Sequence, residues 1–169
     1  MGSRVFRVCR RICALAAFCA ALATPVAAKN LAVVVAIGSK VQDVSLANLA
    51  KFCKGTTKAW PDGKSFTLVM KDPESPEMQP VIQKIYNMTP AEVKQLVTKL
   101  NDSRPQQPYV KIVSSDEEVL RTVAATPGAV GILDVYAINS TVKVLRLDGN
   151  LPFDAGYVLK GNAKAYQSY

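Results

Sequence analysis

Leu31-Ala32-Val33-Val34-Val35-Ala36-Ile37-Gly38-Ser39 is an unbroken apolar run, rich in β-branched residues, that stops at a glycine and a serine. A strand with one wet face alternates apolar and polar positions, whereas a run with no polar position has the form of a strand covered on both faces. Residues 31–37 therefore predict a strand buried on both sides.

Downstream of that run, strand and helix signals alternate. Ser45 caps a short helix whose apolar face is Leu46, Leu49, Phe52 and Cys53, with Gly55 as its stop. Trp60-Pro61-Asp62-Gly63 has proline and glycine placed for a turn, and residues 66–70 read as a second strand. Ser75 followed by Pro76 reads as an N-cap with proline at the first helical position, opening a helix to about Asn87. Thr89-Pro90-Ala91-Glu92 is a capping box, and it launches Val93, Leu96, Val97 and Leu100, an i, i+3, i+4, i+7 stripe. After a polar loop over 101–108, a strand at 109–113 precedes a second capping box, Ser115-Asp116-Glu117-Glu118, and a helix to Ala124. Thr126-Pro127-Gly128 ends that helix. Strands follow at 129–133 and 142–147, and residues 156–159 add an edge strand. Strands separated by helices of this length favour a mixed, mostly parallel sheet with helices on both faces. The expectation is one α/β, three-layer domain over 29–169, with neither repeat nor linker.

Upstream of the run lies a segment of another kind. Arg4, Arg7, Arg10 and Arg11 precede an apolar stretch at 12–23, Thr24-Pro25 breaks it, and Val26-Ala27-Ala28 supplies small residues. An apolar stretch of about 7–15 residues behind basic residues is the form of a cleavable secretory signal, and it is too short to span a bilayer. Residues 1–28 are read as that signal, cleaved near Ala28, which leaves a periplasmic or secreted chain with no membrane span.

Composition then excludes several functions. The chain carries 21 basic and 13 acidic residues; without the four leader arginines, 17 oppose 13, a net of +4. The lysines are scattered rather than gathered into a face interleaved with aromatics, so a nucleic-acid partner is not expected. Cys9, Cys13 and Cys19 lie in the leader, leaving Cys53 to pack as a small hydrophobe without a disulfide. There is no histidine, the commonest general base and metal ligand. Neither zinc nor calcium spacing occurs in the mature part, no nucleophile elbow is present, and Asp116-Glu117-Glu118 reads as a helix first turn. No catalytic residue, metal or cofactor is expected.

Ligands in such folds sit where strand C-ends meet helix N-termini, because backbone N–H groups converge there. Two places have that form: Gly38-Ser39-Lys40 after the first strand, and Lys71-Asp72-Pro73-Glu74-Ser75 after the second. Lys71, Ser75 and the backbone at Gly38 and Ser39 are the candidate ligand-binding groups. Taken without a ligand, Ser75, Pro76 and Glu77 are simply good first-turn residues, Lys71 is a solvated surface lysine, and Trp60 is a packing anchor.

Three stretches, in their order, resemble the phosphate-type substrate-binding proteins of ABC transporters, of the type 2 periplasmic-binding-protein fold. Residues 44–55, Val44-Ser45-Leu46-Ala47-Asn48-Leu49-Ala50-Lys51-Phe52-Cys53-Lys54-Gly55, match the family's helix of the form lt-x-x-eL-x-x-iF-x-G. Trp60-Pro61-Asp62-Gly63 is similar to its tryptophan turn, and Ala124-Ala125-Thr126-Pro127-Gly128-Ala129-Val130-Gly131-Ile132 to its tpGAIGY segment. The resemblance implies a single lobe where a complete member closes two over its ligand, and it implies a small oxyanion as ligand.

This chain departs from the family at the anion site. There an arginine, followed four residues later by Ser-Gly-Thr at a helix N-terminus, holds phosphate; the matching positions are Lys71 and Ser75-Pro76-Glu77. Lysine lacks the planar fork that suits an oxyanion, and Pro76 has no N–H to donate. Glu77 adds like-charge repulsion of order 1–4 kcal/mol at ~4 Å, against only ~0.3–1 kcal/mol from a helix terminus. Two readings follow: an exported, non-catalytic solute-binding-like protein with at most weak anion binding, or an envelope interaction module that meets a transporter, another protein or a second copy of itself.

Overall fold

A computed structural model describes residues 30–161. The leader read at 1–28, with Cys9, Cys13 and Cys19, lies outside the described residues, as does the chain from Asn162 onward. The opening run forms β1, Leu31–Ala36, with every residue from Leu31 to Val35 buried. Ile37, expected inside the strand, is 61% exposed just beyond it. The pleat divides the strand's side chains. Leu31, Val33 and Val35 enter one hydrophobic cluster and Ala32 and Val34 another, so the strand is covered on both faces as its composition requires.

The remaining elements are β2 (Asp43–Val44), α1 (Leu46–Cys53), β3 (Thr67–Met70), α2 (Gln79–Val81), α3 (Pro90–Asp102), β4 (Val110–Ile112), α4 (Asp116–Ala125), β5 (Ala129–Asp134), β6 (Val142–Val144) and β7 (Arg146–Leu147). The helix expected from Ser75 to Asn87 is a composite, with a 3-10 turn over Pro76–Met78 before α2 and a π turn over Ile82–Tyr86 after it. Pro76 and Pro80 lack N–H groups, which interrupts a regular ladder, and Asn87 ends the segment in the left-handed region at φ 49°. Ser75 does not cap it by side chain. The Thr89–Glu92 capping box is complete. The second box is shifted: Ser115 accepts from the Glu118 N–H, but the Glu118 carboxylate returns to Ser114. The strand expected at 142–147 breaks at Leu145 into β6 and β7, and residues 156–159 are not a strand, although the Leu159 carbonyl accepts from the Leu31 N–H.

The main sheet has the order β4-β3-β5-β1-β6; β2 and β7 form a separate parallel pair. β3 is parallel to both its neighbours, while β1 is antiparallel to β5 and β6. Four of the five strands therefore run one way and β1 alone runs the other, a mixed but mostly parallel sheet. One face packs against α1 and the Met78–Tyr86 segment, the other against α4. Gly131 makes the second approach possible: a Cβ there would lie 2.6 Å from Val119 and 2.7 Å from Val123 of α4.

Two contacts close the ends. The Trp60 indole N–H donates to the Gly128 carbonyl at 2.9 Å, and the ring packs 4.5 Å from Phe52, so Trp60 is the packing anchor its turn suggested. Gly128 has φ 86°, and a Cβ there would come within 2.4 Å of the Ser65 carbonyl, which explains glycine at that place. On the edge strand β4, the Asn101 side chain donates to the Val110 carbonyl and accepts from its N–H, pairing an otherwise open ladder position.

Candidate functional site

The parallel direction of β3, β4 and β5 carries their C-terminal ends to one edge of the sheet. There, three elements meet on a single cation. Lys71 follows β3 directly and is 7% exposed, not the solvated lysine its loop position suggested. Its Nζ lies 2.9 Å from Glu77 Oε1, in the 3-10 turn, and 2.7 Å from Asp116 Oδ1, the first residue of α4. Burial pushes the Lys71 ammonium down, but the hydrogen bonds and charges of Asp116 and Glu77 outweigh it and raise the group above its ordinary value. The arrangement holds one buried positive charge under two negative ones.

That geometry determines what the site can bind. An oxyanion approaching Lys71 meets an ammonium already shared between two carboxylates, and it gains the cation only by displacing one of them. Ser75, the other candidate on this edge, points back into its own turn: its N–H and its hydroxyl both donate to the Asp72 carbonyl, at 2.9 and 2.7 Å. Asp72 and Glu74 in turn share the single charge of Lys94 of α3, at 3.2 and 2.7 Å.

Gly38 and Ser39 do not join Lys71 and Ser75. β1 runs against β3 and β5, with Leu31 facing Asp134 and Val35 facing Val130, so the turn after β1 lies at the opposite edge of the sheet. No helix starts at that turn; the chain passes through β2 before α1 begins at Leu46. The Ser39 N–H donates to Ala36, its hydroxyl accepts from the Val41 N–H, and its carbonyl accepts from Lys143 Nζ. The reversed strand therefore separates the two candidate places, each of which the sequence offered as a strand end facing a helix N-terminus.

Sequence reasoning missed two parts of the lysine edge. Asp116 read only as a helix first-turn residue; its contact with Lys71 depends on β4 lying beside β3, which local pattern does not encode. The other is an aromatic pair, Tyr136 just after β5 and Phe153 in the tail, 82% and 64% exposed, with ring centres 6.2 Å apart. Elsewhere, a groove of about 790 Å³ runs along β2, α1 and the tryptophan turn, floored by Val44, Phe52 and Trp60. Among the described residues no group of three or more acidic, cysteine or histidine side chains is disposed to hold a metal. No described helix is long and apolar enough to cross a membrane.

No protein-family model matches the chain, and no curated protein matches it by sequence. Solved structures do match in shape, and they define a class. PstS from Borrelia burgdorferi superposes with a TM-score of 0.60 at 17% identity, covering 79% of this chain and 55% of that one. A transporter substrate-binding protein from Clostridium perfringens, solved with bound phosphate, gives 0.57 at 15% identity over 73% and 47%. An ABC-type phosphate transport receptor from Vibrio cholerae gives 0.52 at 18% identity over 73% and 48%. The chain has the fold of phosphate ABC transporter substrate-binding proteins, as its motifs implied, and spans about half the length of the structures it matches.

Proposed function

We propose that this chain is an exported, non-catalytic binding lobe that no longer takes phosphate tightly and works instead by contact with another protein. The observation that carries this reading is the position of Glu77. Its carboxylate stands on the buried Lys71 ammonium, with Asp116 on the same nitrogen. A small anion at this place competes with two tethered carboxylates whose effective concentration exceeds that of a free ligand. Export and cleavage near Ala28 rest on the leader pattern at residues 1–28. The absence of catalysis rests on a chain without histidine and on matched structures described as transport and binding proteins.

A weaker form of anion binding has one observation in its favour: Lys71 keeps its proton, since its pKa is raised. Sulfate, phosphate or a carboxylate at high concentration then exchanges with Glu77, whose side chain is 25% exposed. Calorimetric titration of the mature chain with phosphate, sulfate and acetate separates the two. Absence of heat at millimolar anion is the expected result; submicromolar phosphate binding overturns the reading.

A further inference from the structure

The proposed role requires a contact surface, and the most exposed large apolar groups lie on the lysine edge itself. Tyr136 and Phe153 are the two most exposed large apolar side chains among the described residues, and they pack against each other rather than standing alone. Tyr136 sits in the 3-10 turn directly after β5, pinned by its N–H donating to Asp134 Oδ1 at 3.0 Å. Phe153 is held by the turn in which the Leu151 N–H donates to Asp154 Oδ2. Two paired rings carried on hydrogen-bonded turns and left in water form a patch of the kind that marks an interaction site.

Charge indicates what covers the patch. Residues 71–77 and 114–118, two segments that end on this edge, hold six of the chain's 13 acidic residues and one basic residue, Lys71. Lys94 and Arg121 reach in to pair with Asp72, Glu74 and Glu118. Those six acids meet four cations, Lys71, Lys94, Arg121 and Lys111, which leaves two negative charges in excess although the chain without its leader carries +4. Aromatic faces take lysine stems and guanidinium planes well, and an acidic surround draws cations while repelling anions.

We propose that the Tyr136–Phe153 pair is the docking point for a basic, lysine- or arginine-bearing segment of a partner protein, with the acidic edge providing its charge complement. This rests on the reading that the lobe acts by protein contact. The test uses the mature chain and a peptide of alternating arginine and glycine, followed by calorimetry and by chemical-shift changes. Binding that weakens as salt rises to about 0.3 M, with shifts at Tyr136 and Phe153, is the expected result. The Y136A/F153A double variant, which leaves every charge in place, should lose affinity by roughly 5- to 30-fold, two cation–π contacts' worth. Equal affinity in that variant, no binding at all, or a dimer of the wild-type chain that the variant abolishes would each overturn the proposal. Phosphate run in parallel keeps the two ideas apart: tight phosphate binding sinks the functional reading, and failure of the peptide alone sinks only the docking surface.

Discussion

Glu77 Oε1 lies 2.9 Å from Lys71 Nζ, so the first turn after β3 turns an acid inward upon the cation that ends the strand. The two residues are six positions apart, and the Asp72–Ser75 turn between them, closed by the Ser75 N–H on the Asp72 carbonyl, makes the return possible. The loop thus supplies its own counter-ion. Two experiments probe that arrangement, a third the Trp60–Gly128 contact at the opposite end of the sheet, and a fourth the core.

Restoring donors and removing the acid should create an anion site. In the double variant Pro76→Gly, Glu77→Thr the backbone gains an N–H and the carboxylate leaves Lys71. Loss of one like charge near the anion is worth of order 1 kcal/mol or more, so phosphate affinity is expected to rise at least about fivefold. Calorimetry on variant and parent under one buffer measures it. A variant as inert as the parent would show that Glu77 is not what excludes the anion.

Removing the cation should cost more than removing either acid. Lys71→Met keeps much of the side chain's volume but leaves Glu77 and Asp116 without their shared partner, 25% and 14% exposed. A destabilisation of about 2–4 kcal/mol is expected from uncompensated, largely buried charge, read from urea midpoints at pH 7. The folded pKa of Lys71 is raised, so its contribution is fully present below the unfolded value of about 10.4 and is lost as pH rises through the folded one. The penalty of Lys71→Met should therefore shrink in strong alkali.

How much of this was readable in the residues varies by level. β1, the Ser45 and Thr89 caps, the tryptophan turn and the Gly128 stop follow from local pattern, because each is decided within a few residues. The direction of β1 does not: Leu31 to Val35 reads the same whether its neighbours run with it or against it. That one ambiguity is why local pattern does not tell that Gly38 and Ser39 lie at the opposite end of the sheet from Lys71. The inward acid at Glu77 was legible, since it replaces a small residue in a recognisable turn. Asp116 was not, because its role depends on a strand order that only long-range pairing sets. Tyr136 and Phe153 gave no periodic signal, since both lie in irregular chain.

The Trp60–Gly128 bond should be measurable by itself. Trp60→Phe keeps an aromatic ring beside Phe52 and Phe66 but leaves the Gly128 carbonyl without its 2.9 Å donor. A loss of about 1–3 kcal/mol is expected for a part-buried acceptor left unpaired. The chain has a single tryptophan, so in the parent its fluorescence reports this corner alone, shifting to the red as the corner opens. Global unfolding of the variant is followed by circular dichroism instead, and stability unchanged within error would show the indole N–H to be dispensable.

Alkali should destabilise the fold through its buried thiol. Cys53 is fully buried on α1 beside Tyr86, and burial pushes its thiol up to about 12. In the unfolded chain the same thiol ionises near pH 8.5. Between those values the folded state holds a proton that the unfolded state has lost, so stability falls as pH rises, with a limiting slope of about 1.4 kcal/mol per pH unit for one proton. Burial raises Tyr86 as well, and it raises Tyr109 to about 12, so the tyrosines add to the fall once pH passes their unfolded value near 10. Cys53→Ala removes the first ioniser alone. It should cost stability at pH 7 by leaving a small cavity, yet its stability should stay flat from about pH 8.5 to 10, where the parent's declines. Thermal melts of both proteins across that range test the point, and parallel curves would mean that the thiol does not control the alkaline limb.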